Sequence, residues 1–362
     1  MNKIWQVTKL FALAVLILQM SCKDSGTGPY DMDRLLPPPA QTGEWDLVGL
    51  EGDGVTAIAI VPQKPWIIFA GTSFDYSAGT RGKIFRSNDW GRTWKEVLRN
   101  VSVERIFVDP KNPSIVYAGL GGCMSSTTPC VIKSTDGGDS WSRADSGISI
   151  TLLNSLTCLE IDPHNTNTLY AGEAGLNGGA LWKTTNGGRS WFIPDEQLSP
   201  LRNGVTALAI DPTNTNIIYA ATNWIDGIFK STDTGLTWRM ILPSTGSIVY
   251  CLAADKTKNV YAGLGSYGLI YSKDGGETWM KPSSGLPDTL TVAQIKLYNS
   301  STLFLSGNWV DNGGVYRSTD GGISWMYIGI DSGRVGALEV DRENNFLYVA
   351  KGGIYRWRIK PN

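Results

Sequence analysis

SNDWGRTW at residues 87–94 returns as STDGGDSW at 134–141, TTNGGRSW at 184–191, STDTGLTW at 231–238, SKDGGETW at 272–279 and STDGGISW at 318–325. The copies begin 41 to 50 residues apart, a period that belongs to repeat architectures. Their common form, S-x-D-x-G-x-[ST]-W, is turn chemistry: hydroxyl and carboxylate bond backbone amides, Gly accepts positive φ, and the Trp covers the apolar layer beside the turn. The context upstream repeats as well. Before the fourth copy, VTALAIDPTNTNIIYAAT (205–222) and GIFKS (227–231) read as a strand, an Asp-Pro turn, a second strand, a loop and a third strand. The residues after each closing Trp supply a fourth strand.

Four antiparallel strands repeated around an axis make a propeller blade. Third strands begin at Ile84, Val131, Leu181, Ile228, Ile270, Val315 and Ile354, which counts seven blades. The seventh, GGIYRW, has no turn motif after it and the chain soon ends. EWDLVGL (44–50) resembles the post-motif segment WKEVL and stands just before the first inner strand. The expectation is therefore an all-β, seven-bladed propeller over 43–358, closed by an N-terminal strand pairing with 352–358 and followed by a short tail, 359–362. Closure leaves few exposed strand edges.

The octapeptide resembles the Asp-box, or BNR, repeat of sialidases, sortilins, xyloglucanase-type glycoside hydrolases and the photosystem II assembly factor family. The resemblance covers 43–358 and implies that Asp89, Asp136, Asp233, Asp274 and Asp320 are structural, not catalytic. Sialidases would add an R-I-P motif, an arginine triad and a Tyr/Glu pair. None is evident, and no motif ties Arg81, Arg105, Arg202 and Arg334 together. Xyloglucanase-type enzymes carry their catalytic base in T-D-[VI]-G-G of the first blade. The corresponding place here reads Thr72-Ser73, with Asp75 two residues on. Those enzymes take a second carboxylate from a second propeller, and this chain has only one. The photosystem assembly family is similar in size, blade number and export, but its arginine-rich patch is not obvious. No catalytic residue is assigned.

The 32 Lys and Arg nearly balance 33 Asp and Glu, and a chain starting at Cys22 would have 30 against 33. That disfavours nucleic acid as a partner. A single His removes most His-dependent catalysis and metal chemistry. His164 sits in DPHNTN, which aligns with DPTNTN, so it belongs to a solvent-facing turn. Cys158 and Cys251 align with Ala57, Ala207 and Ala337 as small innermost-strand residues. No metal or cofactor is expected.

Residues 1–21 combine a basic start with the apolar run LFALAVLIL, a secretory signal too short to span a bilayer. The run ends in Leu18-Gln19-Met20-Ser21-Cys22. This resembles the lipobox of bacterial lipoproteins, although the apolar residue usual three before the cysteine is Gln19. The expectation is export, with acylation at Cys22 holding the protein at the outer membrane, periplasmic side or cell surface. The other reading is simple cleavage with a free thiol. Residues 22–42, with three consecutive prolines, form a tether. Cys123 and Cys130 bracket one loop, and an oxidising compartment favours a disulfide there. A metal site would need further ligands that the loop lacks.

With the octapeptides on one face, ligands belong on the opposite one, built from second-to-third-strand loops and inter-blade connections. Those loops concentrate aromatics, acids and amides: Phe74, Asp75, Tyr76, Glu173, Asn177 and Tyr267. Two of them share N-W-[IV]-D, as Asn223, Trp224, Asp226 and Asn308, Trp309, Asp311. Rings beside carboxylates and amides stack on sugars or seat peptide side chains, unless both tryptophans only pack between blades. The reading is a non-catalytic binding or assembly scaffold for a protein or polysaccharide, with a glycoside hydrolase as the alternative.

Overall fold

The computed structural model describes residues 43–360 apart from 75–78, 80, 122–127, 151–153, 176–177, 195–199, 224–226, 266, 308–312 and 331–333. The described residues all lie in the unit Pro38–Asn362. They form seven antiparallel sheets arranged as a ring. Blade 1 shows the plan, with strands Val55–Ile60, Ile68–Thr72, Lys83–Ser87 and Lys95–Arg99 ordered from the axis outward. The inner strands of blades 2 to 7 are Val103–Val108, Asn154–Ile161, Val205–Ile210, Val249–Ala254, Val292–Leu297 and Ala337–Asp341.

The outer strand of blade 7 is Trp45–Gly49, which pairs antiparallel with Ile354–Arg358 and sets Trp45 opposite Trp357. The expected closure is therefore present. Trp45 also donates its indole N–H to the Ile328 carbonyl of blade 6 at 2.9 Å. In blades 3 and 5 the outer strand shrinks to single bridges, Lys183–Phe192 and Tyr271–Met280. Pro194 and Pro282 follow each bridge by two residues and lack the N–H a longer ladder requires.

The core lies between blades. Each of seven apolar clusters joins one blade to the next, with Val55, Ile68 and Phe85 of blade 1 meeting Phe346, Tyr348 and Ile354 of blade 7 at the closing seam. In four blades the second strand places Gly opposite the third inner-strand position, where the next blade comes close. At Gly263 a Cβ would stand 2.5 Å from Cys251 Sγ and 2.7 Å from Val292 Cγ1.

The octapeptides are spent on their own turns. In the second copy Ser134 Oγ donates to Asp136 at 2.7 Å, Gly138 N–H donates to Ser134 Oγ at 2.8 Å, and Ser140 N–H donates to Asp136 at 2.9 Å. These bonds, led by the Ser140 hydroxyl, hold the Asp136 carboxyl well below the usual carboxylate range. The turns also clasp the ring. In three copies the carbonyl at the fourth motif position accepts a tyrosine hydroxyl and a lysine from the preceding blade, as when Tyr117 and Lys133 reach Gly187 at 3.2 and 3.0 Å. Tyr170 with Lys183 and Tyr219 with Lys230 repeat the clasp on Thr234 and Gly275.

Candidate functional site

Aligned by blade, the inner strands read VTAIAI, VERIFV, LTCLEI, VTALAI, VYCLAA, VAQIKL and VGALEV. The first position is packed between blades. In six blades the ladder then slips by one residue before the third position, for example between Val55 and Ala57 and between Val249 and Cys251. Such a bulge sets two residues against one on the partner strand and re-aims the extra side chain. The extra residues, among them Thr56, Glu104, Thr157, Thr206 and Tyr250, line the mouth of the central channel. Inner strands start on the face of the second-to-third-strand loops, so this mouth opens on the face expected to carry ligands.

The mouth is a cavity of about 570 Å³, within the roughly 300–1,000 Å³ usual for ligand sites. Three of its threonines point their protons back into the blades: Thr56 donates to Gly71 O at 3.2 Å, Thr157 to Gly172 O at 3.1 Å and Thr206 to Ala221 O at 3.3 Å. Gln294 is committed too, donating to Gly336 O at 2.9 Å and accepting from Leu338 N–H at 2.8 Å. Arg105 spends Nη1 on its neighbour's carbonyl, Glu104 O, at 2.9 Å. Arg334, exposed on the rim, makes no hydrogen bond or ion pair to a described residue. Tyr250 is 44% exposed. Burial pushes the Glu104 carboxyl upward, while Arg105 and Arg334 pull it down.

Below the mouth, a space of about 110 Å³ continues the channel between Arg105, Cys158, Glu160, Cys251, Lys296 and Glu339. Lys296 Nζ pairs with Glu339 at 2.7 Å across blades 6 and 7. Glu160 has its pKa pushed up to about 7, because burial outweighs the pull of Lys296 and Arg105 and Glu339 adds repulsion. Burial likewise pushes the Cys158 and Cys251 thiols up to about 12, which keeps them protonated and inert. Both stand in register with Ala57 and Ala207, as their alignment indicated.

Of the residues expected to bind, Asn223 lines the channel mouth. Tyr267 is 47% exposed, with the Lys281 ammonium 5.9 Å from its ring centre. Phe74 is half-buried, its N–H donating to Ser102 Oγ at 3.2 Å. Glu173 is 4% exposed, its carboxylate accepting from Asn154 Nδ2 and Trp182 Nε1, each at 2.9 Å. Asp75, Tyr76, Trp224, Asp226, Asn308, Trp309, Asp311, Cys22 and Cys123 lie outside the described residues. Cys130 is buried, and its N–H donates to Asp145 at 2.6 Å. His164 stands on an exposed turn, its N–H donating to Asp162 at 2.8 Å.

Of the charged channel residues, the sequence pointed to Arg105 and Arg334 only as arginines that no motif ties together, and Glu104, Glu160, Lys296 and Glu339 went unmarked. The available signal was the third and fifth positions of the inner strands. Most blades place Ala or Cys at the third, whereas Arg105 and Gln294 interrupt it. Glu160, Lys296 and Glu339 interrupt the fifth.

No family model matches the chain. It is 25% identical over 329 residues to the xyloglucanase Xgh74A of Acetivibrio thermocellus, a match covering 85% of this chain and 30% of that protein. The chain thus spans about a third of the length of that relative. In structure it resembles the GH74 xyloglucanase from Xanthomonas campestris, with a TM-score of 0.67 at 20% identity over 86% of this chain and 53% of the other. It also resembles YCF48 bound to D1 peptide, with a TM-score of 0.64 at 13% identity over 92% of this chain and 100% of that one. The propeller architecture is common to all three structures.

Proposed function

We propose that this protein is an exported, lipid-anchored scaffold that presents the loop face of its ring to a protein or carbohydrate partner without transforming it. The observation that carries the reading is the channel mouth, a polar cavity of ligand size in which donors outnumber carboxylates. Glu104 is the one carboxylate lining it among the described residues, whereas inverting glycoside hydrolysis uses two roughly 6.5–9.5 Å apart. Likeness over full length to a single-ring protein solved with a peptide supports a binding role.

A hydrolase is the second reading, favoured by the sequence similarity to xyloglucanases and by Asp75 beside the first-blade loop. Two measurements separate them. Reducing ends released from xyloglucan by the wild type, and lost in Asp75→Asn, would establish the hydrolase. Under the scaffold reading no release occurs. Trp224→Ala and Trp309→Ala each weaken binding of a glycan-array hit or pulled-down partner by about 1–3 kcal/mol at an unchanged melting temperature. A large fall in melting temperature with binding intact would make both rings structural.

A further inference from the structure

We infer that the channel mouth is a subsite for a uronate, a carboxylate-bearing sugar at the end of an acidic oligosaccharide, with Arg105 and Arg334 holding the carboxylate. This rests on the binding reading above and names the chemistry of the ligand.

The argument is a balance of donors and acceptors. The threonines have turned their hydroxyl donors onto backbone carbonyls, Thr291 included, which donates to Gly265 O, and Gln294 has given one of its two amide N–H groups to Gly336 O. Each hydroxyl oxygen keeps acceptor capacity. The charged donors open to a ligand belong to Arg105, beyond its single bond to Glu104 O, and to Arg334, which makes no hydrogen bond or ion pair to a described residue; the neutral donors of Ser155, Asn223 and Tyr250 line the mouth beside them. Two guanidiniums beside one carboxylate, Glu104, leave the mouth with a positive excess. A guanidinium fork matches a carboxylate in two parallel bonds, and partial burial strengthens them.

The rest of the wall selects a sugar over a peptide. A polyhydroxylated ring donates to hydroxyl acceptors, which line the mouth on several blades. A half-exposed Tyr250 offers a flat apolar surface for the face of a pyranose. An acidic peptide would also offer carboxylates to the guanidiniums, but it brings no ring of hydroxyl donors to set against the threonine oxygens. The channel narrows beneath, where Arg105, Tyr250 and Gln294 line both the mouth and the smaller space below. The site accordingly takes a chain end, with the remaining sugars leading out toward the loops.

The test is titration calorimetry of the full mature protein with trigalacturonate, cellotriose and tetra-aspartate. The expected result is saturable binding of trigalacturonate, at least tenfold weaker binding of cellotriose, and affinity that falls with added salt. Arg334→Gln lowers trigalacturonate affinity at least tenfold without moving the melting temperature, and Arg334→Lys recovers part of the loss. The exposed position of Arg334 keeps this variant free of folding effects. Equal binding of cellotriose, no binding of trigalacturonate at millimolar concentration, or unchanged affinity in both Arg334→Gln and Arg105→Gln overturns the proposal. Tighter binding of tetra-aspartate overturns it in favour of a peptide. If the sugar arms fail while a pulled-down partner still binds the loop face, the scaffold reading stands and only the uronate falls.

Discussion

Replacing Glu160 with Gln should make the protein more stable at pH 8 and leave it unchanged at pH 4.5. In the folded ring the Glu160 pKa is pushed up from 4.5 to about 7, chiefly by burial. Between those values the native state holds a proton that the unfolded chain has released. Unfolding therefore becomes easier as pH climbs through this window, and stability is greatest below it. At about 1.36 kcal/mol per pH unit the shift sets a ceiling of about 3 kcal/mol, lowered by water reaching the channel from its mouth. Gln is nearly isosteric with the protonated acid and removes the penalty. The variant should gain about 1–3 kcal/mol at pH 8, or about 2–5 °C in melting temperature for a ring of this size. Thermal and denaturant unfolding of both proteins at pH 4.5, 6, 7 and 8 measures the difference, in which titrating groups that do not interact with Glu160 cancel. A variant less stable than the parent at pH 8 would refute the reasoning. It would show that Glu160 works as an ionised partner of Arg105 and Lys296 and that their attraction exceeds the cost of burial.

Deleting residues 43–50 removes the outer strand of blade 7 and the Trp45 contact to blade 6, and should abolish cooperative unfolding in a denaturant titration. A truncated chain that unfolds like the parent would disprove closure by this strand. Gly263→Ala forces a Cβ against Cys251 and Val292, and should lower stability by about 1–3 kcal/mol in the same assay, with a neutral result showing that the seam yields. Cys22→Ser should move the protein from the membrane pellet to the soluble envelope fraction. Unchanged retention would defeat the lipid anchor.

The blades were legible because their turns are chemically distinctive and recur. Ser134, Asp136, Gly138 and Trp141 can be aligned by eye with their five counterparts, and the displaced first strand followed from counting third strands. The shrunken outer strands of blades 3 and 5 were visible only as WFIP and WMKP, where a proline two residues after the bridge stops the ladder. The channel was harder to see. Alternation along VERIFV or VAQIKL marks two faces of a strand, but whether a side chain meets the next blade or the axis depends on ring diameter and on the bulge. Arg105, Glu160, Lys296 and Glu339 lie on different strands of the sequence and become neighbours only once seven blades share one axis. The loop residues Trp224 and Trp309 drew notice through the N-W-[IV]-D they share, and both lie outside the described residues.

Trp45–Gly49 completes a sheet whose other three strands are the last in the chain. For biogenesis this means that the first blade-forming segment to leave the ribosome waits for the final one. Until Ile354–Arg358 arrives, the apolar faces of blades 1 and 7 that meet at the closing seam have no cover. A contact spanning almost the whole domain is formed late and slowly. Ring closure is therefore the last step of folding, after all seven inner strands are in place. Any factor that shields the unclosed chain would have to cover that seam.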